Sequence, residues 1–316
     1  MYTKALDLIN QSRYILIVTH MNPDADTISC ALALSNYFKE NKIKHSIFNN
    51  SEHIPRNLDF LDNSHKITSN IPKFYDLIIC VDCANIKRVG IQFDSNIKTI
   101  NIDHHQSNDN FGIINIVDDT KASSAEVLFE FFEQNNLTIS KKTAQCLYVG
   151  IYDDSLAFTT PRCDSGTFDK VNKLVSIGVD PSVVANKLLR RDSLAKYRII
   201  PKVLDSLELH NEGKVATILV ENEWLQQTGA LVSDCEELVN MVLRIAVVDI
   251  AMMFRYSDGT IRVSMRSKNN IDVSKIASNF NGGGHKMAAG CTCYTDDIHD
   301  AKKMVLNYLK ESDYGI

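Results

Sequence analysis

The sequence predicts an α/β protein with a doubly wound, mostly parallel sheet in its N-terminal part and a smaller α/β domain in its C-terminal part. In the first half, short apolar runs alternate with helical stretches and are joined by short loops. Several of these runs end in carboxylates or histidines. Beyond Gly213 the pattern changes to hairpins and a glycine-rich segment. At 316 residues the chain is long enough for two domains, with a cleft expected between them.

Apolar runs bounded by polar residues are typical of buried parallel strands. We predict strands at residues 14–20, 44–48, 77–81 and 99–102. Helices are predicted at residues 26–41, 124–135 and 143–154. The second of these helices has the clearest start, because Ser123 or Ser124 can cap it and Glu126 lies in its first turn.

The second half begins with a charged, mostly helical stretch over residues 182–209, which we interpret as a connector that is broken or kinked near Pro201. Strands are predicted at residues 215–220, 250–256 and 260–266, the last two joined by the turn Ser257-Asp258-Gly259. Helices are predicted at residues 234–247, 273–280 and 296–311. The expected domains are therefore 1–185 and 211–316, with residues 186–210 between them.

Composition excludes several classes of protein. The net charge of −5 argues against long duplex DNA as a partner, because proteins that track a phosphate backbone are usually basic. No run of 18 apolar residues indicates a membrane span, and the amphipathic start does not resemble a secretory signal, so we expect a cytoplasmic protein. The eight cysteines, including the Cys80/Cys83 pair, are interpreted as reduced thiols.

Three acidic or histidine side chains follow the first predicted strand: His20, Asp24 and Asp26. The two aspartates are two residues apart and project differently, so they could serve two different metal ions. Asp26 could instead cap the following helix, and Asp24 could be a turn residue.

Two later strands end in the same kind of residue. Asp82 ends the third strand, either as a ligand or as an ordinary loop aspartate. Asp103, His104 and His105 end the fourth strand. Since adjacent side chains point apart, one histidine could bind metal while the other faces substrate; the alternative is a capped turn with exposed histidines.

Asp153 and Asp154 lie at the C-terminal end of a predicted helix, where acids oppose the helix dipole and a cation would compensate the cost. Since carboxylates outnumber histidines and no thiolate is needed, we expect two divalent metal ions. Manganese fits this set best, and magnesium also fits.

A second constellation surrounds the glycine run at residues 282–284, which His285 and Lys286 follow. Three glycines allow backbone amides to approach an anion closely, and a helix beginning just after them would add positive potential. Arg262, Arg266 and Lys268 lie on a neighbouring predicted strand. The segment is therefore either a cradle for a phosphate or carboxylate, or a plain flexible loop.

These motifs resemble those of the DHH phosphoesterase superfamily with its DHH-associated C-terminal domain. The named motif is DHH at residues 103–105, and the other metal motifs are HMNPDAD at 20–26, VD at 81–82 and GIYDDS at 150–155. The C-terminal domain is matched by VSMRS at 263–267 and GGGHKMAAG at 282–290. The layout is most similar to the nanoRNase and 3′-phosphoadenosine 5′-phosphate (pAp) phosphatase branch.

The resemblance implies a role for each matched residue. One metal ion would be held by His20, Asp24 and Asp82. The second would be held by Asp26, the bridging Asp82, His104 and Asp154. His105 would face the scissile phosphate, with Asp103 orienting a histidine. The remaining implied residues would bind substrate: Ser264, Arg266, Gly283, Gly284 and His285.

The resemblance implies a hydrolase of short single-stranded oligonucleotides or pAp, which could form a homodimer. Ala25 replaces a common glycine, which is a mild change. Ser155-Leu156-Ala157-Phe158 replaces a common Thr-Gly-Arg-Phe, which removes an arginine that could contact substrate and bears on substrate preference. The rival enzyme is a linear or cyclic dinucleotide phosphodiesterase. A rival from another class is a nucleotide-binding module with a dead site, which would have lost ligands.

Overall fold

The computed structural model describes residues 1–51, 54–269 and 271–311. The chain divides into two compact units, Met1–Arg191 and Asp192–Ile316, so the division falls inside the predicted connector at residues 186–210. Each unit contains its own sheet and its own apolar core. In the part of the chain that is described, no helix is long and apolar enough to cross a bilayer.

The first unit is built on a parallel sheet with the strand order β3-β2-β1-β4-β5-β6. The predicted strand Leu77–Val81 is confirmed residue for residue, and the other three differ by one or two residues at an end. Two short strands carried too little apolar pattern to be predicted. The strands are β1 (Ile15–Val18), β2 (His45–Phe48), β3 (Ile67–Thr68), β4 (Leu77–Val81), β5 (Lys98–Asp103) and β6 (Ile114–Val117).

Helices of the first unit bury one face of this sheet in the larger apolar cluster. The second helix is buried along almost its whole length, because it packs on the sheet and on the fourth helix. The opposite face has a smaller apolar cluster around Val89, in the 3-10 helix Ile86–Val89. The helices are α1 (Tyr2–Gln11), α2 (Ala25–Glu40), α3 (Ser124–Gln134), α4 (Lys141–Asp154), α5 (Ser165–Ile177) and α6 (Pro181–Leu189).

The second unit contains a mixed sheet with the order β11-β12-β10-β9-β8-β7, in which only β8 and β9 pair in parallel. The predicted turn at Ser257-Asp258-Gly259 joins β9 to β10 as a hairpin. The strands are β7 (Glu208–His210), β8 (Val215–Val220), β9 (Ile250–Ser257), β10 (Thr260–Ser267), β11 (Gly283–His285) and β12 (Ala288–Cys293). The helices are α7 (Leu194–Asp205), α8 (Asn222–Thr228), α9 (Leu238–Leu243), α10 (Val273–Ser278) and α11 (Ile298–Glu311).

Two helix predictions in the second half are wrong in detail. The connector breaks between Leu189 and Leu194, where Ser193 caps α7, and not at Pro201, which lies inside α7. Pro201 is exposed, so water can satisfy the carbonyl that loses its amide partner. The predicted helix 234–247 is reduced to a 3-10 turn followed by α9.

The prediction of a helix just after the glycine run is also wrong. Gly283–His285 forms β11, which pairs antiparallel with β12. A Cβ at Gly282 would lie 2.2 Å from the carbonyl oxygen of Gly290, and one at Gly284 would lie 2.5 Å from that of Ala288. The glycines therefore allow two backbone segments to approach closely, and residues 283–285 form a strand where a helix start was expected.

Gly150 has no side chain, which lets α4 lie close to α2 and α3. A Cβ at this position would lie 2.5 Å from Asp26 Oδ1 and 2.7 Å from the Cβ of Ala125. We expect Gly150→Ala to lower the free energy of unfolding by about 1–2 kcal/mol, because overpacking outweighs the gain in helix propensity of about 1 kcal/mol. Urea unfolding measures this change.

The control is Gln145→Ala, a partly exposed position on the same helix, where we expect a change of no more than about 0.5 kcal/mol. A Gly150→Ala variant more stable than the wild type would contradict the close approach.

Candidate metal and phosphoester site

The loop after β1 places His20 beside two carboxylates. Its Nδ1 lies 2.8 Å from the carbonyl oxygen of Met21, which can only accept, so Nδ1 carries the proton. The buried Nε2 lies 3.5 Å from Asp24 Oδ2 and 3.3 Å from Asp82 Oδ2, yet it makes no hydrogen bond of good geometry. An imidazole fixed by a backbone carbonyl, with its other nitrogen facing carboxylates, has the arrangement of a metal ligand.

Asp24 takes the helix-capping role that the sequence left open for Asp26. Its Oδ1 accepts a hydrogen bond of 3.0 Å from the amide of Thr27 and caps α2. Its Oδ2 is the atom that faces His20. One carboxylate can therefore start the helix and still offer an oxygen to the site.

Asp82 lies at the centre of the site. It follows β4 in a left-handed conformation, with φ 57°, and its amide donates to the carbonyl oxygen of Ile102 at 2.9 Å. Its Oδ2 faces His20, while its Oδ1 lies 3.7 Å from His104 Nε2 and accepts from the Ser124 hydroxyl at 2.8 Å. The two oxygens of one carboxylate thus face two different histidines.

His104 and His105 leave the end of β5 toward different partners. His104 Nδ1 lies 3.3 Å from the carbonyl oxygen of Lys121, and its Nε2 lies 3.2 Å from Asp154 Oδ2. His105 Nδ1 donates to Asp103 Oδ1 at 2.7 Å. His104 therefore repeats the arrangement of His20, whereas the Nδ1 of His105 is already committed to a carboxylate.

Asp26 and Asp154 reach the site from α2 and from the end of α4. The carboxylate of Asp26 is buried and accepts from the first amides of α3, at 2.6 Å from Ser124 and 3.1 Å from Ala125. Asp26, His104 and Asp154 offer ligand atoms that all lie within 4.8 Å of one another. Two more groups meet the same distance: His20 with Asp24 and Asp82, and Asp82 with His104 and His105.

The crowding of acids is electrostatically costly without a cation. Burial, together with the charge of Asp82, raises the pKa of Asp26 and of Asp154 above the ordinary range of a carboxyl. Burial opposes a charged His20, but Asp24 and Asp82 outweigh it and raise the pKa of His20 to about 10. Protons are thus held where positive charge is needed, and the donor set fits divalent metal ions.

The sequence did not single out Arg88, which lies in the 3-10 helix six residues after Asp82. Its Nη1 lies 3.4 Å from His105 Nε2, and its carbonyl oxygen accepts from the amide of Met21 at 2.8 Å. Nothing in its sequence surroundings distinguishes it, because Lys87 beside it is equally basic. Only the turn of the 3-10 helix directs a guanidinium to the site.

The segment after Asp154 departs from ordinary backbone geometry. Leu156, Ala157 and Phe158 have φ values of 50°, 57° and 66°, a left-handed turn that costs a non-glycine residue roughly 1–2 kcal/mol. Contacts of the Phe158 ring with Tyr148 and Tyr152 stabilise it. The residues that replace the common Thr-Gly-Arg-Phe at 155–158 therefore form a strained backbone segment, which directly follows the candidate ligand Asp154.

In the second unit, pairing places most of the predicted substrate residues on one face of the sheet. Arg266 pairs with Ala288, which pairs with His285. Ser264 lies two residues before Arg266 and is joined in the same way, through β12, to Gly283. Gly284 lies between Gly283 and His285 on β11 and so belongs to the other face of the sheet. Its φ of 144° indicates that a glycine is needed there for the backbone conformation.

Comparison with known proteins matches both units. A sequence model of the DHH family N-terminal domain matches residues 14–151, and a model of the DHHA1 domain matches residues 200–311. The bifunctional oligoribonuclease and PAP phosphatase NrnA of Bacillus subtilis is 26% identical over 304 residues, which cover 95% of this chain and 96% of that protein. A probable NrnA of Streptococcus mutans is 29% identical, over 92% of this chain and 94% of that protein.

Two further matches differ in how much of the matched protein they cover. The cyclic-di-AMP phosphodiesterase PdeA of Listeria monocytogenes is 24% identical over 95% of this chain, but the match spans only 48% of that longer protein. Among solved structures, an exopolyphosphatase-related protein from Bacteroides fragilis superposes with a TM-score of 0.92 at 24% identity, covering 98% of this chain and 95% of that one. At that identity the superposition shows the fold.

The left-handed turn after Asp154 gives a test of local strain. Leu156 is 65% exposed, so its side chain contributes little burial. We expect Leu156→Gly to raise the free energy of unfolding by about 0.5–1 kcal/mol, because relief of roughly 1–2 kcal/mol of strain exceeds the entropic cost of glycine. Thermal and urea unfolding measure the change.

Leu156→Ala is the matched control, since it removes the side chain but keeps the Cβ that causes the strain. Equal stability of the glycine and alanine variants would show that the turn is not strained.

Proposed function

The chain belongs to the DHH family and carries a DHHA1 domain, and from that premise we propose a two-metal phosphoesterase that hydrolyses short oligonucleotides and pAp. One observation carries the proposal. The two oxygens of Asp82 face His20 and His104, and each of these imidazoles has its Nδ1 at a backbone carbonyl. A carboxylate that offers one oxygen to each side in this way would be suited to hold two metal ions.

We assign the ligands accordingly. His20, Asp24 and Asp82 would hold one metal ion, and Asp26, Asp82, His104 and Asp154 the other. The capping bond of Asp24 and the amide bonds of Asp26 orient these carboxylates and leave lone pairs for coordination. Because the donors are oxygens and imidazoles without thiolates, manganese is the proposed native ion, and magnesium is a workable substitute.

The chemistry follows from the charges around the site. When bound, the metal ions would supply a nucleophilic hydroxide near neutral pH and stabilise negative charge on the phosphoryl group. Asp103 holds His105 through Nδ1, so that His105 presents Nε2 beside Arg88. We assign His105 to the scissile phosphoryl oxygen or the leaving group. Arg88 is then placed to bind a non-bridging oxygen of the same phosphate.

The second unit would hold another part of the substrate. Arg266 is half-buried, and its guanidinium Nη1 donates to the carbonyl oxygen of Met265 at 2.9 Å. We propose that it binds a non-scissile phosphate, with Ser264, Gly283, Gly284 and His285 forming the surrounding surface. Homodimer formation and a cytoplasmic location stay predictions.

The similarity to PdeA makes a dinucleotide phosphodiesterase the second candidate. The main proposal fits better, because the NrnA relatives match along nearly their whole length, whereas the chain spans about half of PdeA. A dead nucleotide-binding module would have lost ligands, and this chain keeps a carboxylate or imidazole at every candidate metal position.

A substrate panel tests the proposed function. The wild type with manganese is offered pAp, linear and cyclic dinucleotides, 5′-phosphorylated oligonucleotides of increasing length, and pyrophosphate. We expect turnover of pAp and short oligonucleotides, loss of it on chelation, and a fall of at least about a thousandfold in Asp82→Ala, because the nucleophile depends on both ions. Initial rates and elemental analysis are the readouts.

Asp119→Ala, an exposed carboxylate outside the candidate metal groups, is the matched control and should keep the wild-type rate. Full turnover by protein shown to be free of metal would refute the proposal. Turnover of dinucleotides alone would favour the second candidate.

The two adjacent histidines should separate binding from turnover. We expect His104→Ala to lower the bound metal, since its Nε2 lies among the carboxylates. His105→Ala should keep metal content close to that of the wild type and lower kcat, because its Nδ1 is held by Asp103. Metal stoichiometry and kcat are measured for both variants. Equal metal loss in the two would contradict the assignment.

A further inference from the structure

The sheet face that carries Ser264 and Arg266 has a second basic position that the proposed function does not use. Arg262 lies on the same face of β10, four residues before Arg266. It pairs directly with Arg255 of β9, so these two cationic side chains leave the same face of the sheet at directly opposed positions. Arg262 is exposed and Arg255 is half-buried.

Like charges at directly opposed positions of a sheet are destabilising. Among the described residues, no carboxylate lies within 4.0 Å of either guanidinium. Arg262 Nη1 donates to the Thr292 hydroxyl at 3.0 Å, and Arg255 Nη1 reaches the carbonyl oxygen of Tyr256 only at 3.5 Å. In the described part of the chain, most donors of these two guanidiniums thus have no hydrogen-bond partner.

Two nearby acids act on Arg255 without forming an ion pair with it among the described residues. Glu236 is the acid that acts on both Arg255 and Arg266, and burial raises the pKa of its carboxyl against the effect of those two charges. Asp258, in the hairpin turn, also acts on Arg255. Burial, and after it the charge of Arg262, lowers the pKa of Arg255 against the effect of these two acids.

The spacing separates this pair from Arg266. Four residues of a strand span about 13 Å, and Arg262 Nη1 is directed to Thr292 of β12, so we assign Arg262 and Arg266 to different phosphates. Between them, β12 contributes Gly290, opposite Ser264, and Thr292, opposite Arg262. Small side chains leave room along the strand for the sugars and bases that join two phosphates.

Resting on the proposed function, we propose that Arg255 and Arg262 form a second phosphate subsite, used by oligonucleotides of three or more units. Planar guanidiniums bind phosphate in a bidentate manner, and two of them on opposed positions of one face suit a phosphate better than a lone lysine would. A substrate with fewer phosphates would bind at Arg266 without reaching this pair.

Kinetics across substrate length test the subsite. With 5′-phosphorylated oligonucleotides of two to five units and pAp, we expect Arg262→Ala to lower kcat/KM about tenfold for three to five units, mainly through KM. Dinucleotides and pAp should change less than about twofold, because they do not reach the pair. Arg266→Ala should instead lower kcat/KM for every substrate. Arg262→Lys should recover part of the loss.

Lys303→Ala, an exposed cation on α11, is the charge-matched control and should have no length-dependent effect. Arg255→Ala should reproduce the length-dependent loss expected for Arg262→Ala. If the Arg255→Ala variant does not fold, the kinetics of Arg262→Ala alone test the subsite, because Arg262 is exposed. A loss that is equal at all lengths, or no loss at any length, overturns the subsite.

A binding arm keeps the two proposals distinguishable. The full chain is titrated with hydrolysis-resistant phosphorothioate dinucleotides and pentanucleotides. A wild type that hydrolyses nothing refutes the proposed function. Weaker binding of the pentanucleotide alone by Arg262→Ala still supports the subsite, and unchanged binding of both overturns it.

Discussion

The first unit depends on one constraint: the carboxylate of Asp82 must stay between two imidazoles in a group of acids that repel one another. The strand order places β4 beside β1, where the order of the sheet reverses, so the ends of these strands bring Asp82 and His20 together. The first amides of α3 bind Asp26 and supply partial positive charge. These backbone amides thus offset part of the repulsion among the carboxylates, and a bound cation would offset the rest.

Apolar runs made the core strands predictable, because burial on both faces leaves a local mark in the sequence. Leu77–Val81 is the clearest case. The misplaced features depend on contacts that no local pattern records. Pro201 is tolerated because its side of α7 is exposed, and the glycine run forms a strand because its partner is Ala288–Cys293.

The same distinction holds at the candidate site. The acids and histidines at strand ends could be found from sequence, since their residue types are unusual at those places. Their grouping came from the family resemblance and not from local patterns, because it depends on strand order and on the small residue at Gly150. Arg88 and Arg255 were missed for a related reason. Arginine is common at surfaces, and only neighbours distant in sequence give these two a chemical setting.

The candidate metal ligands are spread from His20 to Asp154 along the chain. A ribosome must therefore release nearly half of the protein before the last of them emerges. Until α4 packs against α2, the nascent chain offers only scattered carboxylates, which bind cations weakly and without selectivity. Capture of metal would thus follow the folding of this unit, and a cell could load the site only on chains whose first domain is already assembled.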